Sequence, residues 1–135
     1  MKEDHIREKE IEERVEREVK REIIDIYQDL INEIWDRIAP ILGTLSLKAI
    51  VERAVVLTSG EFDFMGSIEV SEEGVRLEKL KEELRSNHDR WMLKEGFKRL
   101  IVNLFHILAR LTGKILINRL LQEIEELREL TEGEV

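Results

Sequence analysis

Residues 16–43 read EREVKREIIDIYQDLINEIWDRIAPILG, and a change of pattern inside this stretch decides the fold. From Glu3 to Leu42 the chain holds no glycine, and its one proline is Pro40. Glutamate stands four residues before a basic residue at Glu3–Arg7, Glu10–Arg14, Glu13–Arg17 and Glu16–Lys20. Each such pair adds about 0.2–0.5 kcal/mol to an isolated helix. The spacing therefore predicts one long helix, roughly 60 Å from end to end at 1.5 Å per residue. Before Lys20 its apolar residues form a single file, Ile11, Val15 and Val19, with Ile6 loosely in line. After Lys20 two files appear: Ile23, Ile26, Leu30, Ile34 and Ile41 beside Ile24, Tyr27, Ile31, Trp35 and Ile38. Two files cover about half of a helix surface, the arc that packing into a domain requires. Residues 1–22 are thus expected to be a projecting charged arm continuous with helix 1, residues 23–131 a helical bundle domain, and 132–135 a frayed tail.

Outward from this helix, Pro40 and Gly43 mark its end, Pro40 either stopping it or only kinking its last turn, with Thr44 or Ser46 as expected caps of a second helix carrying Leu47, Ile50, Val51, Ala54 and Val55. TSGEFDFMGS breaks that helix. Ile68 and Val70 alternate before Ser-Glu-Glu-Gly, and Val75 and Leu77 follow, which reads as a small hairpin. LEKLKEELRSN is a short amphipathic helix stopped at Ser86-Asn87. From Asp89 an apolar helix carries Trp91, Phe97, Leu100, Ile101, Leu104, Phe105, Leu108 and Leu111. Gly113 either kinks it or separates it from a helical period running from Ile115 to Leu130. No internal repeat and no low-complexity linker is read from the chain. The fold class is all-α: a bundle of about four to five helices with a long protruding N-terminal helix and a small β-hairpin insertion.

Composition bounds the function. The chain has 135 residues, 42% of them hydrophobic and only 5% aromatic, so leucine, isoleucine and valine must fill one modest core. Charged residues reach 39% with both signs interleaved, which describes a solvated, ion-paired surface rather than a disordered polyelectrolyte. Abundant Glu, Lys and Arg beside few Asn and Gln resemble the bias of thermophile proteins. The absence of cysteine excludes disulfides and thiolate chemistry. A net charge of −8 without a basic run argues against nucleic-acid binding. The N-terminus lacks the apolar stretch of a signal peptide, and no segment approaches the roughly 20 apolar residues of a membrane span. A cytoplasmic protein without membrane contact is expected.

Glu12, Glu13 and Glu16, followed by Glu33 and Asp36, spell EExxE…ExxD. That outline resembles the metal-binding signature of the all-α nucleotide pyrophosphohydrolases of the MazG type. The resemblance implies a metal-dependent enzyme, and this is the alternative reading of function. In that family the two halves sit on different, antiparallel helices. Here Glu13 and Glu33 stand on one uninterrupted helical pattern, roughly 30 Å apart if the helix is straight, whereas one divalent ion needs its oxygens within about 2.0–2.6 Å. Glu33 and Asp36 also share a face with Asp25 and Asp29, away from the apolar arc. The leading reading is a solvated acidic face, with no metal, no cofactor and no catalytic residue assigned.

The three histidines form no ligand spacing. His5 and His88 read as exposed side chains. Arg99, Asn103, His106 and Arg110 make one polar stripe on an otherwise apolar helix, either meeting solvent and neighbouring carboxylates or forming an anion site. Trp35 and Trp91 read as packing residues. Phe62, Phe64 and Met65 either anchor their loop on the core or form a small exposed patch. The seam Ile11, Val15, Val19 and Ile23 is the expected partner-binding surface, because evenly spaced β-branched residues are unnecessary on a lone solvated helix. The pattern continues at Ile26, Leu30 and Ile34, and spacings mixing 4, 4 and 3 average near 3.67, which favours helices running nearly straight together. The function expected is that of a non-enzymatic protein-protein interaction module, a signalling adaptor or assembly subunit. It self-associates as a homodimer through this helix or pairs with another helical protein.

Overall fold

The computed structural model describes residues 2–83 and 90–132, and side chains at 7–83, 90–127 and Glu129. Helix α1 spans Lys2–Leu42 without a break and contains Pro40. Pro40 therefore does not end it. The end comes at Gly43, whose φ of 85° and ψ of 151° lie where only glycine is comfortable, and whose N–H still donates to Ala39 O at 2.8 Å. Helix α2 (Thr44–Ser59) starts at the next residue. Neither Thr44 nor Ser46 caps it. With a single residue between the helices, the N-cap position falls on Gly43 and no side-chain cap forms.

Thr58 closes α2, giving its hydroxyl to Ala54 O at 2.7 Å while its own carbonyl accepts from the amides of Glu61 and Phe62. A 3-10 turn over Asp63–Ser67 follows. Phe64 and Met65 are buried in it and Phe62 partly so, which anchors this loop on the core. Strands β1 (Glu69–Ser71) and β2 (Gly74–Arg76) then pair antiparallel in the register Glu69–Arg76, Val70–Val75 and Ser71–Gly74. Gln28 fastens this hairpin to α1: its amide donates to Val75 O at 2.8 Å and accepts from Leu77 N at 3.0 Å. Helix α3 is one short piece, Glu78–Glu82, holding Leu80 in the core. The expected stop at Ser86-Asn87 and the start at Asp89 lie outside the described residues.

Helix α4 (Arg90–Thr112) is the apolar centre of the domain. Gly113, with φ 82° and ψ −179°, separates it from α5 (Lys114–Glu123), which settles the choice between kink and break. Helix α6 (Glu125–Glu132) is distinct from α5, contrary to the continuous period expected from Ile115 to Leu130. The step between them is a single extended residue, Ile124, 1% exposed. No glycine or proline marks it, so only its burial beside Leu120 and Leu127 distinguishes the site.

Helices α1 and α4 run in the same direction, since Arg90 meets Glu16 and Phe97 stacks on Tyr27. Helix α2 returns antiparallel along α4, with Thr58 opposite Asn103 and Glu61 opposite Arg99. Helix α5 returns along α1, where Glu123 reaches Arg37. The core lies between α1, α2 and α4 and includes Ile24, Ile34, Ile38, Leu47, Ala54, Leu93, Phe97, Ile101 and Leu108. The apolar files are wider than the buried face. Ile26, Ile41, Trp91, Leu111 and Ile115 are all exposed, and of the two tryptophans only Trp35 is a packing residue.

The structure also reveals an internal repeat that the linear sequence hides. Residues 20–53, from α1 through Gly43 into α2, align seventy positions later with residues 90–123, from α4 through Gly113 into α5. Tyr27, Leu30, Ile31, Ile34, Trp35, Ile38, Ala39 and Gly43 correspond to Phe97, Leu100, Ile101, Leu104, Phe105, Leu108, Ala109 and Gly113. Burial agrees across these pairs except the first, where Tyr27 is partly buried and Phe97 fully so, and both glycines donate to an alanine four residues back. Even the exposed residues repeat: Ile41 and Leu45 flank Gly43 as Leu111 and Ile115 flank Gly113. The fold is a pair of like helical hairpins, side by side, with residues 60–89 inserted between them.

Candidate functional site

Two surfaces hold the residues that the sequence singles out. The first is the arm. Ile11 and Val15 are 62% and 53% exposed, Val19 is partly buried against the core, and Ile23 is 7% exposed. One apolar line thus begins inside the domain and runs out of it along α1. Ile23 is committed to the chain's own core, which leaves Ile11 and Val15 as the exposed part of the seam. Lys20 lays its stem along the same junction and is only 5% exposed.

A clasp holds the base of the arm. Arg90, first residue of α4, donates from Nε to Glu16 Oε1 at 2.9 Å and from Nη2 to Glu16 Oε2 at 2.6 Å. This two-point geometry is the strongest a guanidinium offers a carboxylate. The hydrogen bonds from Arg90 hold the Glu16 carboxyl below its usual range, against a smaller opposing effect of desolvation and with help from the charges of Arg90 and Lys20. Arg90 is raised in turn, first by the same hydrogen bond. Glu16 was expected to pair along the helix with Lys20; instead it reaches across to α4. Trp91, one residue beyond the clasp, is 67% exposed.

The second surface is the polar stripe of α4, and its four residues divide. Arg99 Nε lies 3.6 Å from Glu61 Oε2, and Asn103 Nδ2 donates to Thr58 Oγ1 at 3.1 Å. Those contacts fix α4 to the end of α2. His106 and Arg110 are exposed and, with Asn103, line an open groove of about 520 Å³ between α2 and α4. Arg53 and Leu57 of α2 form its other wall. Arg53 escapes a reading of α4 alone because it comes from a different helix.

The acidic residues of the EExxE…ExxD outline stay apart. Helix α1 continues through Lys20-Arg21, so no turn brings its halves together. Glu16 is taken by Arg90, Glu33 pairs with Arg37 at 3.3 Å, and Asp25 pairs with Lys81. Part of the acidic face is therefore ion-paired while remaining exposed to solvent. Among the described residues, no group of three or more His, Asp or Glu side chains is placed to hold a metal ion. The side chain of His5, and His88 entirely, lie outside the described residues. No helix among the described residues is long and apolar enough to cross a membrane. No protein-family model, no curated protein and no solved structure matches this chain.

Proposed function

We propose that this chain is a non-enzymatic interaction module of the cytoplasm, a signalling adaptor or assembly subunit, and that two copies pair through their N-terminal arms. The observation that carries this reading is the exposure of Ile11 and Val15 on the line that Val19 and Ile23 continue into the core. Inside the domain that line is covered by other helices; outside it the same chemistry meets water. Two valine- or isoleucine-sized side chains per arm gain about 1.5–3 kcal/mol each when fully buried, and a second arm offers a matching seam. The Glu16–Arg90 clasp supports the reading because it directs the arm from its base. Trp91 beside the clasp adds a residue type that dominates binding energy at interfaces.

The test is the mass in solution, by light scattering during size exclusion, of the full chain, a version starting at Ile23, and Ile11→Asp with Val15→Asp. A dimer that becomes a monomer in both altered forms is the expected result. A full chain that stays monomeric at high concentration overturns the proposal. So does a dimer that survives both changes, since the interface then lies on the body.

A further inference from the structure

The repeat makes the two halves of the molecule controls for one another, and they differ most around the α2–α4 groove. On the other side, the equivalent positions are occupied by an internal ion-pair cluster. Arg37 contacts both Glu33 of its own helix and Glu123 of α5. Moving seventy positions along the repeat converts each member. Arg37 corresponds to Ile107, Glu33 to Asn103, Asp36 to His106 and Pro40 to Arg110, while Glu123 corresponds to Arg53. The carboxylates of one half are thus replaced by neutral or basic groups in the other. The internally neutralised cluster becomes an open groove lined by Arg53, Asn103, His106 and Arg110.

No carboxylate lines this groove. Positions three and four residues to either side of Arg53 and Arg110 hold none, so neither arginine has an intrahelical partner. Neither makes an ion pair with any other described residue. This is notable in a chain of net charge −8, where acidic side chains outnumber basic ones. Two guanidiniums on adjacent antiparallel helices offer planar donor pairs suited to carboxylate or phosphate oxygens. His106 lines the same groove and adds a ring N–H. The Asn103–Thr58 hydrogen bond holds the floor between the helices, while Leu57, Ile107 and Ala109 supply apolar wall. Few polar groups converging on a concave, partly apolar surface are the usual makings of a small-ligand site.

We infer that the α2–α4 groove binds a small oxyanion, carboxylate or phosphate, between Arg53 and Arg110. The bound anion supplies the negative charge that Glu33 and Glu123 supply to Arg37 in the other half. Arg99, committed to Glu61, acts there only by positioning α4. This site is independent of the arm and stands or falls separately from the pairing proposed above.

The experiment is a two-dimensional amide NMR titration of the full chain at low salt, with inorganic phosphate in one series and succinate in another. The expected result is saturable shifts centred on residues 53–57 and 103–110, with whichever series saturates at lower concentration identifying the ligand class. Arg53→Ala and Arg110→Gln each weaken that binding at least tenfold, whereas Lys79→Gln, an exposed cation on α3, leaves it unchanged. Arg53→Glu places a carboxylate where Glu123 stands in the other half, removes one guanidinium from the groove, and abolishes binding without loss of fold. Non-saturating shifts, shifts spread over all cations, or equal weakening by Lys79→Gln overturn the site. So do groove shifts that follow protein concentration instead of added anion, because the occupant is then a second copy.

Discussion

Tyr27 and Phe97 stack with ring centroids 4.7 Å apart and planes 10° from parallel, and they occupy the same position in the two repeated hairpins. Equivalent residues meet in this way when two like units pack side by side with their leading helices parallel. The same relationship explains why Glu16 can reach Arg90: α1 and α4 set out from the same end of the molecule. The repeat is not exact. Helix α2 has 16 residues and α5 only 10, and Ile124 steps out of helix where Ala54 continues it. The exchange of Glu33 and Glu123 for Asn103 and Arg53 leaves one flank closed by ion pairs and the other with a groove.

The stacked pair makes a titration test. Burial raises the Tyr27 phenol above its usual pKa, and the charge of Glu95 adds to the effect. The fold therefore prefers the neutral phenol, and the unfolded chain ionises first. Stability is complete below the ordinary tyrosine value of about 10 and is lost as pH rises past it toward the folded value. The chain holds one tyrosine, so ultraviolet difference titration reports Tyr27 alone. Tyr27→Phe should leave neutral-pH stability nearly unchanged and grow relatively more stable above that pH. Phe97→Ala should cost about 3–5 kcal/mol in urea unfolding, as deletion of a fully buried ring does.

The two corners should fail alike. Gly43 and Gly113 share a backbone conformation that side-chain-bearing residues avoid, and an added Cβ would touch nothing within 4 Å at either. The cost of Gly43→Ala or Gly113→Ala is then backbone strain alone, about 1–3 kcal/mol each. Gly66→Ala, also in open space but without positive φ, should be close to neutral. Chemical denaturation of the three variants checks both the size and the equality of the corner effects.

The long helix, the hairpin and both glycine corners were legible because each rests on a local signal: unbroken helix formers, alternation around a turn, or a residue that tolerates positive φ. The repeat was not legible, although its apolar positions are conservative. Trp35 matches Phe105 and Ile34 matches Leu104, whereas Asp29 faces Arg99 and Asp36 faces His106 across the alignment. Polar divergence disguised a shared core. The polar stripe could be read along α4, but its division into fixed and open residues depends on Thr58, Glu61 and Arg53 of another helix. Trp91 is exposed rather than packed, which the sequence hides for a related reason: periodicity places a residue on a face without showing what covers that face.

Gly96 marks where the insertion lands on the second hairpin. A Cβ there would stand 2.8 Å from Phe64 Cζ and 2.9 Å from Met65 Cε. Its counterpart in the first hairpin, Ile26, has no such cover and is 63% exposed. Alanine in a helix interior gains about 1 kcal/mol over glycine, but overpacking costs about 1–3 kcal/mol. Because the ring of Phe64 is buried and cannot swing away, Gly96→Ala should be net destabilising. Adding Phe64→Leu should recover part of the loss. A double-mutant cycle by thermal denaturation measures the coupling, and purely additive effects would show that the insertion yields without strain.

The Glu16–Arg90 clasp should govern the arm and not the core. Both groups sit at the surface, where ion pairs contribute little to global stability, so Arg90→Gln should leave the melting temperature nearly unchanged. Amide protection over residues 7–19 should fall instead, since the two-point link from the arm to α4 is lost. The pH dependence has a definite sign. The Glu16 carboxyl is held below its usual range, first by hydrogen bonds from Arg90, so the clasp is intact above the ordinary carboxylate pKa and is released as pH falls through the lowered value. Carbon-detected NMR titration of Glu16 should show that depression in the native chain and its disappearance in Arg90→Gln. An unchanged Glu16 titration in that variant would mean that Lys20, and not Arg90, holds the charge at the base of the arm.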